Sequence, residues 1–132
     1  MQFEPDELEL LDEEEEVEIE SAATPGSEAH RTTLWIVVMG PHAYVRSVNG
    51  AQGHWYRRLM TDGIGTLHAS DRQIPIRAAP VSDRQLQLQV SEAYRRKYAL
   101  YPHDLAWITA DPAGATTLRL ERHAAGRMQG AS

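Results

Sequence analysis

Thr33-Leu34-Trp35-Ile36-Val37-Val38-Met39 is followed at once by Gly40-Pro41 and then by Tyr44-Val45-Arg46-Ser47-Val48. The first run is dense in β-branched and aromatic side chains, which pack well on a pleated surface, and the Gly-Pro pair is turn chemistry. Together the two runs predict a β-hairpin. Beyond it, Asn49-Gly50-Ala51-Gln52-Gly53 is a glycine-containing loop. His54 to Met60 is short, arginine-rich and free of helix breakers until Asp62-Gly63, the pattern of a two-turn helix.

Toward the C-terminus, strands are predicted at Ile64 to Ala69 and at Gln73 to Ala78, separated by the polar turn Ser70-Asp71-Arg72. Pro75 has no amide donor, which puts the second of these strands at a sheet edge or a bulge. Ser82 with Gln85 forms a capping-box pattern, and Leu86, Val90, Tyr94 and Tyr98 recur every four residues, so a helix is expected over 83–99. Tyr94, Tyr98 and Tyr101 then form a helix face packed on the sheet. Trp107-Ile108-Thr109 reads as a short strand, Asp111-Pro112-Ala113-Gly114 as a turn, and Thr116 to Arg122 as a strand with Leu118 and Leu120 inward.

Toward the N-terminus, Leu8 and Leu11 share a helical face behind Pro5, and Val17 and Ile19 alternate with Glu16, Glu18 and Glu20. A helix over 5–15, a strand over 16–20 and a loop over 21–31 follow. Six or seven short strands with a few helices predict a mainly β fold, a small and mostly antiparallel β-barrel with flanking helices. One domain is expected over 1–123, with a frayed tail over 124–132.

The 132 residues are 42% hydrophobic and 24% charged, a globular balance, and the net charge of -6 conceals two opposed blocks. Residues 1–30 carry twelve acids and no Lys or Arg. The remainder carries thirteen cations, all Arg except Lys97, against seven acids. An arginine-rich body suits bidentate recognition of phosphate or carboxylate. The absence of cysteine excludes disulfides, thiol nucleophiles and thiolate metal sites. The six histidines are twelve or more residues apart, so no metal is expected, and His103 beside Asp104, which could be read as a base and its orienting acid, has no Gly-x-Ser-x-Gly elbow or cysteine to activate. No apolar run reaches the roughly 18 residues of a membrane helix, and the N-terminus has no secretory pattern, so a cytoplasmic location is expected.

One segment carries a candidate site. Arg46 and Ser47 stand at a strand end, a Gly loop follows, and Arg57 and Arg58 lie in the first turns of the next helix. Unpaired amides at a helix N-terminus and guanidinium forks both favour a phosphate. Trp55 and Tyr56 would supply a flat apolar wall beside it, as a nucleotide-like or flavin-like cofactor needs. The same residues also suit an ordinary strand–loop–helix connection with a solvated arginine pair, and the two readings stand side by side.

At five ordered points the sequence resembles a known family. These are Thr33 to Val38, Tyr44 to Gly50, His54 to Arg58, Ala93-Tyr94-Arg95-Arg96-Lys97-Tyr98, and Thr116-Thr117-Leu118-Arg119-Leu120. The family is a bacterial domain of unknown function, number 2255, related to the FMN-binding split barrels and the deazaflavin-dependent nitroreductases. Likeness spans about residues 5–122 and implies a split-barrel fold in which the acidic N-terminal segment is an integral helix and strand. By resemblance, Arg46, Ser47, Arg57 and Arg58 hold the phosphate of FMN or a deazaflavin, while Trp55 stands where the deazaflavin enzymes tend to have a basic residue. The implied function is a hydride-transferring reductase that acts on a small-molecule substrate and works as a homodimer, with neither nucleic acid nor membrane expected as a partner. The alternative is a cofactor-free, non-catalytic ligand-binding or assembly module with a basic anion-binding face.

Overall fold

The computed structural model of the chain describes residues 2–21 and 30–123, and it divides the run from Thr33 to Met39 between two strands. Strand β1 (Val17–Ser21) pairs with β2 (Arg31–Leu34), with Val17 opposite Leu34, whereas β3 (Val37–Met39) pairs with β4 (His42–Val45), with Val37 opposite Tyr44. Three further strands are β5 (Ile64–Ala69), β6 (Arg72–Pro80) and β7 (Leu118–Arg122). The seven form one antiparallel sheet in the order β2-β1-β5-β6-β7-β4-β3.

Consecutive strands β2 and β3 thus lie at opposite edges of the sheet. If the sheet were flat, those edges would be about 29 Å apart at the usual strand spacing. The step from Leu34 to Val37 spans at most about 10 Å. The sheet therefore has to curl, and it forms a half-barrel whose two edges meet at Trp35-Ile36. The predicted hairpin survives as β3–β4 with its turn at Gly40, whose φ of 59 is left-handed. Thr33 and Leu34 belong instead to the other edge.

Helix α3 (Arg84–Lys97) holds the corner. The Tyr94 hydroxyl donates to the Trp35 carbonyl at 3.3 Å, the Ile36 amide donates to the Tyr98 hydroxyl at 3.1 Å, and Lys97 Nζ donates to the Ile36 carbonyl at 2.8 Å. Side chains three and four residues apart on one helix face replace the strand partner that the corner lacks. Tyr98 also stacks on the Trp35 ring, with centroids 3.9 Å apart and planes within 5°. Its hydroxyl donates to the Glu15 carbonyl at 2.7 Å, and Lys97 reaches the Leu11 carbonyl at 2.9 Å. Lys97 thereby serves the C-terminal end of helix α1 (Pro5–Glu13), whose last turn holds no basic residue.

Strands β1, β5, β6 and β7 bury alternate residues, so Ile19, Leu67, Ile74, Ile76, Leu118 and Leu120 fill the barrel together with Phe3 and Leu11 of the N-terminal segment and Leu59 of helix α2 (His54–Asp62). A second core on the outer face joins Val37 and Tyr44 to Val90, Tyr94 and Tyr98 of α3. The acidic segment folds as an integral helix and strand, close to the expected boundaries. Glu7 is buried, closes the capping box of α1, and pairs with Arg122 at 3.2 Å and Arg72 at 3.5 Å. Cations of the basic body are thus partly used by the chain's own acids.

Three local expectations change. Strand β6 is central rather than at an edge, and Pro75 is tolerated because it lies one residue past Ile76, the last position paired with β7, where it offers only a carbonyl to the His123 amide. The cap of α3 is Asp83, which accepts from the Leu86 amide, rather than Ser82. The predicted strand at Trp107 to Thr109 is the end of helix α4 (Pro102–Ile108), and the turn after it is the single-turn helix α5 (Asp111–Gly114). Most of the predicted loop over 21–31 and the tail over 124–132 lie outside the described residues.

Removing the hydroxyl in Tyr98→Phe leaves the buried Ile36 amide without an acceptor and is expected to cost about 1–3 kcal/mol in chemical denaturation. Burial pulls the Lys97 ammonium down to about 8, against opposing pulls from Asp12 and Glu14. Above that pH the folded protein has released a proton that an unfolded lysine keeps up to about 10.4, so this group makes stability rise with pH. Between pH 8 and 9.5 the wild type should gain stability relative to Lys97→Met; parallel pH profiles would show that Lys97 is not so perturbed.

Candidate functional site

Strand β4 ends at Val45, and the next two residues turn away from each other in chemistry. Arg46 is buried, 1% exposed, and reaches across the outer core. Its Nε donates to Thr117 Oγ1 at 2.9 Å, Nη1 to Ser91 Oγ at 2.8 Å and to the Ile108 carbonyl at 3.2 Å, and Nη2 to the Gln87 carbonyl at 2.6 Å. Four of the five guanidinium N–H bonds are therefore committed to the protein. The Tyr94 ring lies 5.6 Å from its Cζ. Burial lowers its proton affinity, yet a guanidinium stays charged at neutral pH. No carboxylate pairs with it among the described residues.

Ser47 is held from the other side. Its amide donates to Thr116 Oγ1 at 2.9 Å, and its carbonyl accepts from the Gly50 amide at 2.9 Å. Thr116 and Thr117, just before β7, thus clamp this corner through one hydroxyl each. A 3-10 turn over Gly50–Gln52 leads to Gly53, the N-cap of α2, and no side chain caps that helix. The amides of His54, Trp55 and Tyr56 consequently have no carbonyl one turn earlier and no capping acceptor. Ser47 Oγ is buried against Gly53 and has no hydrogen-bond partner; a Cβ at Gly53 would collide with it.

Arg46, Ser47 and Trp55 form part of the wall of a cavity of about 380 Å³, within the range of small-molecule sites, while Gly53, His54 and Tyr56 do not line it. Glu16 and the stretch Thr32 to Trp35 make one wall, Arg46 to Asn49 with Trp55 a second, and Asp104, Trp107 and Ile108 of α4 a third. Of the six predicted site residues, Arg46, Ser47 and Trp55 line this cavity and Tyr56, Arg57 and Arg58 do not. Tyr56 packs against the barrel core, Arg57 is exposed, and Arg58 is half-buried with its Nε unpartnered. The expected free guanidinium fork at Arg46 is corrected by its burial: the group contributes charge to the wall, while its donors hold α3, α4 and β7 together.

Trp35, Trp107, Glu16 and Asp104 were not predicted here. A signal for the third wall does exist in the sequence, since Pro102 followed by Asp104 is the first turn of a helix. The first wall depends on the pairing of β1 with β2, whose register, with Val17 opposite Leu34, brings Glu16 beside Trp35.

The half-barrel with flanking helices is the fold of the FMN-binding split barrels. An F420-H2 dependent reductase (FDR-A) superposes with a TM-score of 0.59 at 12% identity, covering 81% of this chain and 94% of that one. HutZ, the heme storage protein from Vibrio cholerae, gives 0.62 at 11% identity over 93% and 90%. An FAD-binding protein from Mesorhizobium loti gives 0.56 at 13% identity over 92% and 90%. At such identities the likeness is one of fold. No curated protein matches the sequence. The model of a family described as "Uncharacterized protein conserved in bacteria" (DUF2255) matches residues 7–120, and with most of its length inside that match the chain belongs to this family.

Proposed function

We propose that the cavity holds a flavin-type cofactor, FMN or a deazaflavin, by its phosphate, and that the protein orients it for hydride transfer with a small-molecule substrate. The observation that carries this reading is the partnerless buried hydroxyl of Ser47 beside the uncapped N-terminus of α2. A buried hydroxyl without a partner costs about 1–3 kcal/mol, and an anion accepting from it and from the neighbouring amides would recover that cost.

In this reading Ser47 donates to a phosphate oxygen together with the amides of His54, Trp55 and Tyr56, and Gly53, where a Cβ would collide with Ser47 Oγ, lets that hydroxyl lie against the start of α2. Arg46 adds an uncompensated positive charge behind the wall and keeps Ser47 in place. Arg57 and Arg58 add charge on α2 without lining the cavity. Trp55 offers an apolar face for the ring system. The cofactor, when bound, supplies the hydride chemistry; the chain supplies binding and orientation. Similar folds described as an F420-H2 dependent reductase and an FAD-binding protein support the choice of ligand. A homodimer belongs to the same proposal. Among the described residues no helix is long and apolar enough to cross a membrane.

The test is titration of the purified protein with FMN and with a deazaflavin, followed by absorbance and tryptophan fluorescence. Ser47→Ala should weaken binding about 10-fold and, with the orphaned hydroxyl gone, raise the stability of the free protein by about 1 kcal/mol. Such opposite signs are not expected of a plain structural serine. Saturable binding of neither flavin, or an unchanged affinity in Ser47→Ala, would refute the proposal. Arg46→Lys should behave differently: an ammonium cannot serve four acceptors in one plane, so folding stability falls by about 2–4 kcal/mol in thermal denaturation.

A further inference from the structure

The chain has three tryptophans, and all three line this cavity. Trp35 is backed by the stacked Tyr98 ring, Trp55 is the second residue of α2, and Trp107 stands 60% exposed on α4. An exposed tryptophan has large apolar area in water, and beside a concave site it reads as part of the site. Two carboxylates, Glu16 and Asp104, share these walls, and neither forms an ion pair among the described residues. Ser47 Oγ, buried and without a partner, adds the independent sign that a ligand is missing from the wall.

The charges of the two signs come from different elements, although the Arg46 guanidinium also reaches the Ile108 carbonyl at the far end of α4. Arg46, the uncapped helix and the orphan hydroxyl belong to the wall between β4 and α2, where an anion is favoured. The carboxylates belong to the opposing elements, the residue before β1 and the first turn of α4, each next to an indole: Glu16 with Trp35, Asp104 with Trp107. Indole faces attract cations through the ring quadrupole, and tryptophan does so best. A nearby carboxylate adds to that attraction, and a flat cation gains apolar contact as well.

We infer that the Glu16, Trp35, Asp104 and Trp107 side of the cavity binds a flat organic cation, such as an N-alkylated or protonated nitrogen heteroaromatic. This deepens the cofactor reading, because it names the class of substrate that the cleft accepts beside the phosphate wall. It rests on the cavity being a ligand site and stays testable whether or not a flavin binds.

The full-length protein is titrated by calorimetry with 1-methylquinolinium and with quinoline, its neutral analogue, at pH 7.5, in the absence and presence of FMN. The cation should bind about 10-fold more tightly than the neutral compound, at one site per chain. Asp104→Asn and Glu16→Gln should each lower the preference for the cation about 3-fold while leaving quinoline unchanged, and Trp107→Ala should weaken both. All three residues are exposed, so these variants are expected to fold. Equal affinity for the two compounds, or a preference that survives both carboxylate substitutions, overturns the inference even where FMN binds. Cation binding without FMN binding upholds it and refutes the cofactor proposal instead.

Discussion

A two-residue step between the opposite edges of a seven-stranded sheet is the constraint from which the rest of the structure follows. Trp35 and Ile36 sit where no strand can pair with them, and their peptide groups would be orphaned in the core without α3. Tyr94, Lys97 and Tyr98 supply the missing partners from one helix face. Tyr98 and Lys97 also reach Glu15 and Leu11, so the helix that closes the corner also secures the N-terminal segment. Closure, helix docking and the position of the first cavity wall are one event.

Behind the cavity stands a buried cation with no carboxylate. Its four hydrogen bonds draw on α3, α4 and Thr117, so Arg46 ties together elements distant in sequence. Neutral acceptors satisfy the donors without neutralising the charge, which leaves a positive field at the wall where Ser47 and the α2 amides converge. A guanidinium paired with a carboxylate at this position would brace the fold equally well and offer nothing to an anion. The structure thus combines a structural role for Arg46 with an electrostatic one.

Much of the architecture was legible from periodicity. Alternation placed Ile19, Ile74, Ile76, Leu118 and Leu120 inward, four-residue recurrence placed Val90, Tyr94 and Tyr98 on one helix face, and Leu11 and Val17 marked the acidic segment as folded. The split at Trp35-Ile36 was not legible, because both halves share the same composition and only sheet order separates them. Pro75 misled because propensity rules see a missing donor and not where the neighbouring strand stops. In the site, the Ser47 to Trp55 connection was visible as a motif, whereas the state of Arg46 was not: an arginine in a motif does not reveal whether its donors face a ligand or the interior. Glu16 and Asp104 are distant in sequence and line one cavity only once the chain has folded.

The position of β7 bears on how the protein is made. Among the described residues this strand comes last, yet it lies inside the sheet between β6 and β4, and its Arg122 clasps Glu7 from the first helix. Six strands emerging from the ribosome therefore form two unjoined pieces, β2-β1-β5-β6 and β4-β3, each with an unsatisfied border where residues 118–122 will insert. Contacts this remote in sequence slow closure and leave sticky strand borders exposed meanwhile. Synthesis of residues 118–122 acts as the keystone, and a nascent chain stalled before them would need the protection of a chaperone.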